Sequence, residues 1–219
     1  MTANKPKLWH CYNARSLRAL WTLEEMGIDY ELEVMPFPPR YFVEGYKELN
    51  SLGTVPYFEH DGQSMTESTG ICLYLIERFG FVDQLGVKTD HPAYADFLNW
   101  LFHSDATLTF PQTIFFRYTA LEPEDKRQPK VADDYRKWYL ARLVRLEQHL
   151  QSNQYLCDNR FTIADIAITY ALHFGELLGI SADYSEVITG YLNRMRERPA
   201  FEQSLTYGEE LDPYKNLPS

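Results

Sequence analysis

The sequence predicts an α+β domain followed by an all-helical domain. Strand and helix signals alternate in the first part of the chain, and after Pro92 the strand signals disappear. An Asp61-Gly62 pair lies between two short strand-like runs, which is the pattern of a β-hairpin. The expected divisions are a mixed domain at 1–82, a linker at 83–92 and a helical domain at 93–219.

The first domain is predicted to open with a strand and a helix. Residues 7–10 form a short apolar-leaning strand, and Leu17 and Trp21 lie at helical spacing within residues 14–26. Gly27 fits the position just past the end of that helix. The remaining elements are expected at 30–35 (strand), 41–49 (helix), 55–59 and 63–66 (strands) and 68–79 (helix). The predicted order is therefore β-α-β-α-β-β-α.

The second domain shows helical patterns alone. Before it, the segment up to Pro92 has no convincing period, which is typical of a linker. Helices are expected at 93–110, 132–152, 162–178 and 185–197, with a last short helix at 199–207.

The charge balance argues against two classes of partner. The 219 residues include 31 acidic and 21 basic side chains, which gives a formal net charge of −10. This field repels phosphate backbones and acidic lipid surfaces, so neither nucleic acid nor a membrane is an expected partner. No run approaches the roughly 20 apolar residues that a membrane-spanning helix needs.

Cysteine usage and the start of the chain indicate a cytoplasmic protein. The first residues are polar, and no apolar signal-peptide segment follows them. The cysteines are widely spaced and odd in number, which argues for a reducing compartment instead of a disulfide framework. They are Cys11, Cys72 and Cys157.

Three motifs, in this order and at these distances, resemble the soluble glutathione transferases. They are Val55-Pro56 before the hairpin, Glu67-Ser68 at the start of a helix, and Phe-Thr-Ile-Ala-Asp-Ile at 161–166. The resemblance extends over roughly residues 6–205. It implies a thioredoxin-like first domain that binds glutathione, and a helical domain that shapes the pocket for a second, apolar electrophilic substrate. It also implies a homodimer that acts in detoxification.

The resemblance places glutathione along Thr54, Val55 and Pro56. The family has a cis peptide before this proline, and X-Pro bonds are the ones for which cis is least costly. The backbone N–H and C=O of Val55 would then pair with the cysteinyl backbone of glutathione, as one added strand residue. The alternative is an ordinary proline at the start of a strand.

Glu67 and Ser68 are the second part of the implied glutathione site. Backbone N–H groups at a helix start carry partial positive charge, which suits the γ-glutamyl carboxylate, with Ser68 as a further donor. The Glu67 carboxylate would accept from the γ-glutamyl ammonium group. The alternative is simple helix capping by Ser68 or Thr66.

The residue that activates the glutathione thiol is sought in the loop at 10–16. A free cysteine thiol has a pKa of about 8.5, so a donor or positive charge must stabilise the thiolate. Alignment with the family places Asn13 where many bacterial members carry Ser or Thr, and Ala14 stands where one subgroup has Ser. The catalytic candidates are Asn13, Cys11, Tyr12, Arg15 and Ser16.

Each main candidate has an alternative role. Asn13 is either a thiolate donor or a cap of the first helix. Cys11 is either a partner in a mixed disulfide or a small buried apolar residue. Tyr12 could donate its phenol, as in tyrosine-type transferases.

The first helix of the second domain is rich in aromatic residues. The resemblance places this helix beside the thiol, so Trp100, His103 and Phe110 could line the second-substrate pocket. The alternative is ordinary packing between helices. His103 and Asp105 lack the further ligands that a metal site requires, so no metal is expected.

Thr162 and Asp165 are spaced as a helix cap and its partner three residues later, a capping box with Asp in place of Glu. We expect this pair to act in folding. The predicted activity is transfer of glutathione to an apolar electrophile. The alternatives are a glutathione-dependent disulfide oxidoreductase or peroxidase, and a non-catalytic glutathione-binding protein of the same fold.

Overall fold

The computed structural model describes residues 5–214, so the outer ends of both predicted domains, at 1–4 and 215–219, lie outside the described residues. The internal contacts divide the chain into two units. The first comprises residues 5–85 together with 196–214, and the second is Gly86–Met195. The α+β plus all-helical architecture predicted from the sequence is confirmed.

A four-stranded mixed sheet forms the first unit's centre. Its strands are β1 (Lys7–His10), β2 (Glu31–Val34), β3 (Tyr57–His60) and β4 (Gln63–Met65). They lie in the order β2-β1-β3-β4, with β2 parallel to β1 and the other two pairs antiparallel. Asp61 and Gly62 join β3 to β4 with φ values of 50° and 73°, which confirms the predicted hairpin turn.

Five helices lie between and after these strands in the first part of the chain. They are α1 (Ser16–Met26), α2 (Pro39–Phe42), α3 (Tyr46–Leu49), α4 (Ser68–Arg78) and α5 (Val82–Leu85). The single helix predicted at 41–49 is wrong, because Gly45 adopts a left-handed φ of 73° between two short helices. Gly27 ends α1 as predicted, with φ of 60° and its N–H bonded to the carbonyl of Leu23.

The second unit is entirely helical. Its helices are α6 (Tyr94–His103), α7 (Phe110–Phe116), α8 (Pro129–Leu150), α9 (Ile163–Leu177) and α10 (Glu186–Arg196), and α11 (Pro199–Ser204) follows. Two π-helical stretches, Ser104–Thr109 and Arg117–Leu121, extend the helix that was predicted to end at 110. Pro111 does not stop this helix, because it lies in the first turn of α7, where its missing N–H is tolerated. Within residues 5–214, no helix combines the length and apolar character needed to cross a bilayer.

The last described segment packs with the first unit, although the sequence analysis assigned it to the helical domain. Phe201 of α11 lies edge-on to the ring of Trp21, with 4.8 Å between centroids. Arg198 donates to both carboxylate oxygens of Glu25, at 2.6 and 2.7 Å. These contacts join residues 196–214 to α1.

Candidate functional site

Ser16 holds the loop between β1 and α1 in place. Its Oγ accepts from the Cys11 N–H at 3.3 Å and lies 2.9 Å from Nδ1 of His10. The Ser16 side chain is fully buried. Its hydroxyl is therefore occupied inside the protein, which assigns Ser16 a role in shaping the loop.

Asn13 forms the turn of this loop. Its φ of 56° lies in the left-handed region, which Asn adopts more readily than most residues. The side chain is 4% exposed. The N-cap position of α1 is held by Arg15, which makes no capping bond through its side chain. Asn13 therefore lies two residues before the N-cap position of α1.

Cys11 and Tyr12 have environments that do not favour ionisation. Cys11 has no exposed surface, its Sγ lies 3.6 Å from the carbonyl of Pro36, and burial raises the pKa of its thiol to about 12. Burial also raises the pKa of Tyr12, with smaller contributions from Glu209 and Asp212. Cys11 thus has the properties of a packed core residue instead of a nucleophile.

His10 was not singled out by the sequence analysis, yet it lies behind the loop. It is fully buried, and burial lowers the pKa of its imidazole to about 3, with a smaller opposing effect from the Tyr207 backbone. A neutral ring is therefore bonded to Ser16 throughout the physiological range.

An apolar cluster packs this loop against the segment that contains Val55. Its buried members are Trp9, Cys11, Ala14, Met35, Tyr46, Val55 and Tyr57. Because the loop and Val55 share one packed cluster, the candidate thiol-activating residues and the candidate peptide-binding segment have fixed positions relative to each other.

The N-terminus of α4 lacks a side-chain cap. Glu67 holds the N-cap position in an extended conformation and makes no capping bond through its side chain. The first helical backbone bond runs from Ile71 N–H to the Glu67 carbonyl at 2.8 Å, so the N–H groups of Ser68 and Gly70 precede the first backbone bond of the helix. The capping alternative for Ser68 is wrong, since Ser68 is the first helical residue.

Arg18 reaches this helix terminus from α1. Its Nη1 donates to the Oγ of Ser68 at 3.1 Å, and both side chains are buried. A guanidinium charge therefore lies next to the uncapped N–H groups, where an anion would be stabilised by both. Sequence reasoning missed Arg18, which occupies the apolar face of its helix.

The segment before β3 has the cis peptide that the resemblance implies, between Val55 and Pro56. The carbonyl of Thr54 accepts from the Tyr46 hydroxyl at 2.7 Å and from Asn50 Nδ2 at 2.8 Å, which anchors the segment. No group within residues 5–214 hydrogen-bonds to the backbone N–H or C=O of Val55. Both groups therefore remain available to a ligand.

The three aromatic residues proposed for the second-substrate pocket have different environments. Trp100 is only 2% exposed and packs against the ring of His149 at 5.3 Å, so it is a core residue. Phe110 is 48% exposed and lies edge-on to Tyr135. His103 lines a cavity of about 400 Å³. The lining residues are Leu98, Asn99, Phe102, His103, Ala106 and Thr107.

Thr162 and Asp165 form the capping box at the start of α9. The Thr162 Oγ1 accepts from Ala164 N–H at 3.3 Å, and the Asp165 carboxylate accepts from Thr162 N–H at 2.9 Å. Asp165 is fully buried. Burial raises the pKa of its carboxyl to about 6, against the lowering effect of its hydrogen-bond donors.

Two family models match the chain. Residues 14–78 match the glutathione S-transferase N-terminal domain, and residues 99–199 match the glutathione S-transferase C-terminal domain. The chain is 24% identical to glutathione S-transferase 3 of Schizosaccharomyces pombe, over 97% of this chain and 95% of that protein. It is 26% identical to glutathione S-transferase GstA of Escherichia coli O157:H7, over 91% and 97%.

Solved structures share the fold. A glutathione transferase from Methylococcus capsulatus superposes with a TM-score of 0.82 at 23% identity, over 94% of this chain and 99% of that one. A sphingomonad glutathione S-transferase complexed with glutathione superposes with a TM-score of 0.80 at 22% identity, over 93% and 98%.

Proposed function

The chain belongs to the glutathione S-transferase family, and from this premise we propose that it binds glutathione on its first unit and activates the bound thiol. The observation that carries the proposal is the uncapped start of α4 beside a buried arginine. The γ-glutamyl carboxylate accepts there from the N–H groups of Ser68 and Gly70 and from the Ser68 hydroxyl. The exposed Glu67 carboxylate accepts from the ammonium group of the same glutamyl unit.

The cysteinyl part of glutathione pairs with Val55. The free backbone N–H and C=O of this residue support the proposal, because an extended peptide gains two hydrogen bonds there without displacing any within the protein. The anchored Thr54 carbonyl keeps the segment in position before the ligand arrives. Pro56 follows without an N–H of its own.

The thiol of the bound peptide is activated by the loop at 10–16. We assign the donor role to Asn13, because the alignment with the family places it at the position of the bacterial Ser or Thr and its backbone forms the turn of the loop. Ser16 is engaged by His10 and Cys11, and burial disfavours the thiolate of Cys11.

The thiol loses its proton to solvent, and the thiolate attacks an electrophilic carbon and forms an S–C bond. In a substitution the leaving group departs with the electron pair of its bond to that carbon, and in an addition the electron pair of the broken π bond takes up a proton from solvent. The protein contributes by stabilising the thiolate and by positioning the reactants. Arg15 adds positive charge at the first turn of α1.

The second substrate is a small apolar electrophile bound by the helical unit, with His103 and Phe110 as candidate contacts and Trp100 as the support behind them. Glutathione is the cosubstrate, and no metal takes part. The protein acts in detoxification, as a cytoplasmic homodimer. Family membership supports both the dimer and the location, and the free cysteines Cys11, Cys72 and Cys157 fit a reducing compartment.

Calorimetric titration with glutathione tests the proposal, combined with the ultraviolet absorbance of the bound thiolate between about pH 5 and pH 9. We expect binding, with a thiol pKa below that of free glutathione. Ser68→Ala should weaken binding about tenfold without changing the thiol pKa, and Asn13→Ala should raise the thiol pKa while binding persists. Binding with an unchanged thiol pKa would instead indicate a non-catalytic glutathione-binding protein. Absence of binding would contradict the proposal as a whole.

A further inference from the structure

The turn between β3 and β4 contains a reactive dipeptide. Asp61 precedes Gly62 there, and no other aspartate or asparagine of the 219 residues is followed by glycine. The peptide nitrogen that follows an aspartate can attack the carboxyl carbon of its side chain. Glycine obstructs this attack least, because it has no Cβ. The turn is therefore the position at which the sequence is most prone to rearrange.

The attacking nitrogen belongs to Gly62, and the structure leaves it accessible. Its N–H has no hydrogen-bond partner within residues 5–214, because the pairing of His60 with Gln63 closes the hairpin without it. Gly62 is exposed, and a Cβ added to it would meet no atom within 4 Å. Among the described residues, neither a hydrogen bond nor a neighbouring side chain protects this nitrogen.

The Asp61 carboxyl, in contrast, is held by a residue of α4. Nη2 of Arg78 donates to Oδ2 of Asp61 at 2.7 Å, and the Asp61 side chain is 37% exposed. Nε2 of His60 lies 3.9 Å from the other carboxylate oxygen. The hydrogen bond from Arg78 lowers the pKa of Asp61, with a smaller effect of His60 in the same direction. Arg78 therefore keeps the carboxyl ionised and joined to α4.

Ring closure requires the protonated carboxyl, since the departing group is water. The Gly62 nitrogen forms a bond to Cγ of Asp61 and loses its proton to solvent, while the carboxyl OH takes up a proton and leaves as water. The product is a cyclic succinimide. Water then opens the ring: attack at the backbone carbonyl gives isoaspartate, and attack at Cγ restores aspartate. One water leaves and one enters, so the mass of the chain is unchanged.

We propose that Asp61 is a site of isoaspartate formation and that Arg78 slows the reaction by holding the carboxylate. The isoaspartyl residue carries a free α-carboxylate in an exposed turn. The partner that takes this group is a methyltransferase of the isoaspartyl-specific class, which moves a methyl group from the sulfonium of S-adenosylmethionine to the carboxylate oxygen. The proposal does not depend on glutathione binding.

Incubation of the full chain at physiological temperature and pH tests the proposal. Isoaspartate is quantified by methyl transfer from labelled S-adenosylmethionine and located by peptide chromatography with mass spectrometry. We expect it at residue 61 of the parent protein, and Arg78→Met should form it about two- to fivefold faster, the range that an exposed ion pair spans.

Two variants serve as controls. Arg136→Met removes another exposed pair between an arginine and an aspartate, that of Arg136 with Asp183, and should leave the rate at residue 61 unchanged. Asp61→Glu should remove the signal at this position, because glutamate would have to close a larger ring. Absence of isoaspartate at residue 61 from both the parent and Arg78→Met would overturn the proposed site. Equal acceleration by Arg136→Met would contradict the role of Arg78.

The pH dependence of the rate separates the electrostatic effect of Arg78 from a general loosening of the turn. Loss of Arg78 raises the pKa of Asp61 and so increases the protonated fraction at neutral pH. The ratio of the rates of Arg78→Met and the parent should therefore decline as pH falls from about 7 towards the pKa of the carboxyl. A ratio that did not change with pH would mean that Arg78 acts only by stiffening the turn, and the proposed role of Arg78 would be wrong.

Discussion

Replacing Asp165 by alanine tests the buried hydrogen-bond network at the start of α9. The two carboxylate oxygens accept four bonds: from Thr162 N–H at 2.9 Å, Thr162 Oγ1 at 3.2 Å, Leu156 N–H at 3.0 Å and the Tyr191 hydroxyl at 2.9 Å. Asp165→Ala leaves the Leu156 N–H and the Tyr191 hydroxyl buried without an acceptor, which costs about 2 kcal/mol for each. It also removes the contact with the helix cap at Thr162, which is worth about 1 kcal/mol. The gross loss in the free energy of unfolding is therefore about 5 kcal/mol.

The raised pKa of Asp165 reduces this loss at neutral pH. Burial raises the pKa of the carboxyl from 3.8 to about 6, and two pKa units correspond to about 3 kcal/mol. The folded state binds more protons than the unfolded state between these values, so this group's contribution to stability falls as pH rises through that window and is constant above it. The alanine variant has no buried carboxyl to ionise and does not lose this contribution. The difference in the free energy of unfolding between the parent protein and the variant should therefore be about 2 kcal/mol at pH 7 and about 4 kcal/mol at pH 4.5.

Urea unfolding followed by far-ultraviolet circular dichroism at the two pH values measures both gaps. Thr162→Ala is the matched control, because it removes the cap hydroxyl and keeps the buried carboxylate. Its loss should be about 1 kcal/mol at pH 4.5 and larger at pH 7, because the hydroxyl is one of the donors that lower the pKa of Asp165. The reasoning would be refuted if the free energy of unfolding that Asp165→Ala loses were the same at both pH values or smaller at pH 4.5.

Two further predictions concern glycine and histidine. Gly175→Ala should destabilise the protein by about 1–3 kcal/mol, because the new Cβ would lie 2.0 Å from the Tyr184 hydroxyl. Gly190→Ala, where nothing lies within 4 Å, should stabilise α10 by up to about 1 kcal/mol, and urea midpoints of the two variants should move in opposite directions. His10 should show no protonation above about pH 4 in a proton resonance titration, because burial lowers the pKa of its imidazole to about 3. Protonation near pH 6.5 would contradict the buried contact with Ser16.

Local signals in the sequence were sufficient for much of the fold. The Asp61-Gly62 turn, the glycine after α1 and the Thr162 cap depend on residues within a few positions of each other, so their chemistry can be read directly. The helix at 41–49 was mistaken because Gly45 was not recognised as a break.

The site required contacts that no local pattern contains. Arg18 lies one turn from Trp21 on a buried face, where hydropathy predicts an apolar residue, and its partner Ser68 is 50 positions away. Trp100 was assigned to a pocket because it is aromatic and precedes His103. Its environment is instead decided by α8, which supplies the rings and charges that cover it.

Because residues 196–214 belong to the first unit, that unit can complete its folding only at the end of synthesis. The strands and α1 leave the ribosome first. The contacts of Trp21 with Phe201 and of Glu25 with Arg198 can form only after all of Gly86–Met195 has been synthesised. Trp21 and Phe201 are 180 residues apart, so at translation rates of about 5–20 residues per second that delay is roughly 9–36 s. During this interval the nascent first unit exposes an indole that the finished protein covers, which makes it a candidate client for chaperones.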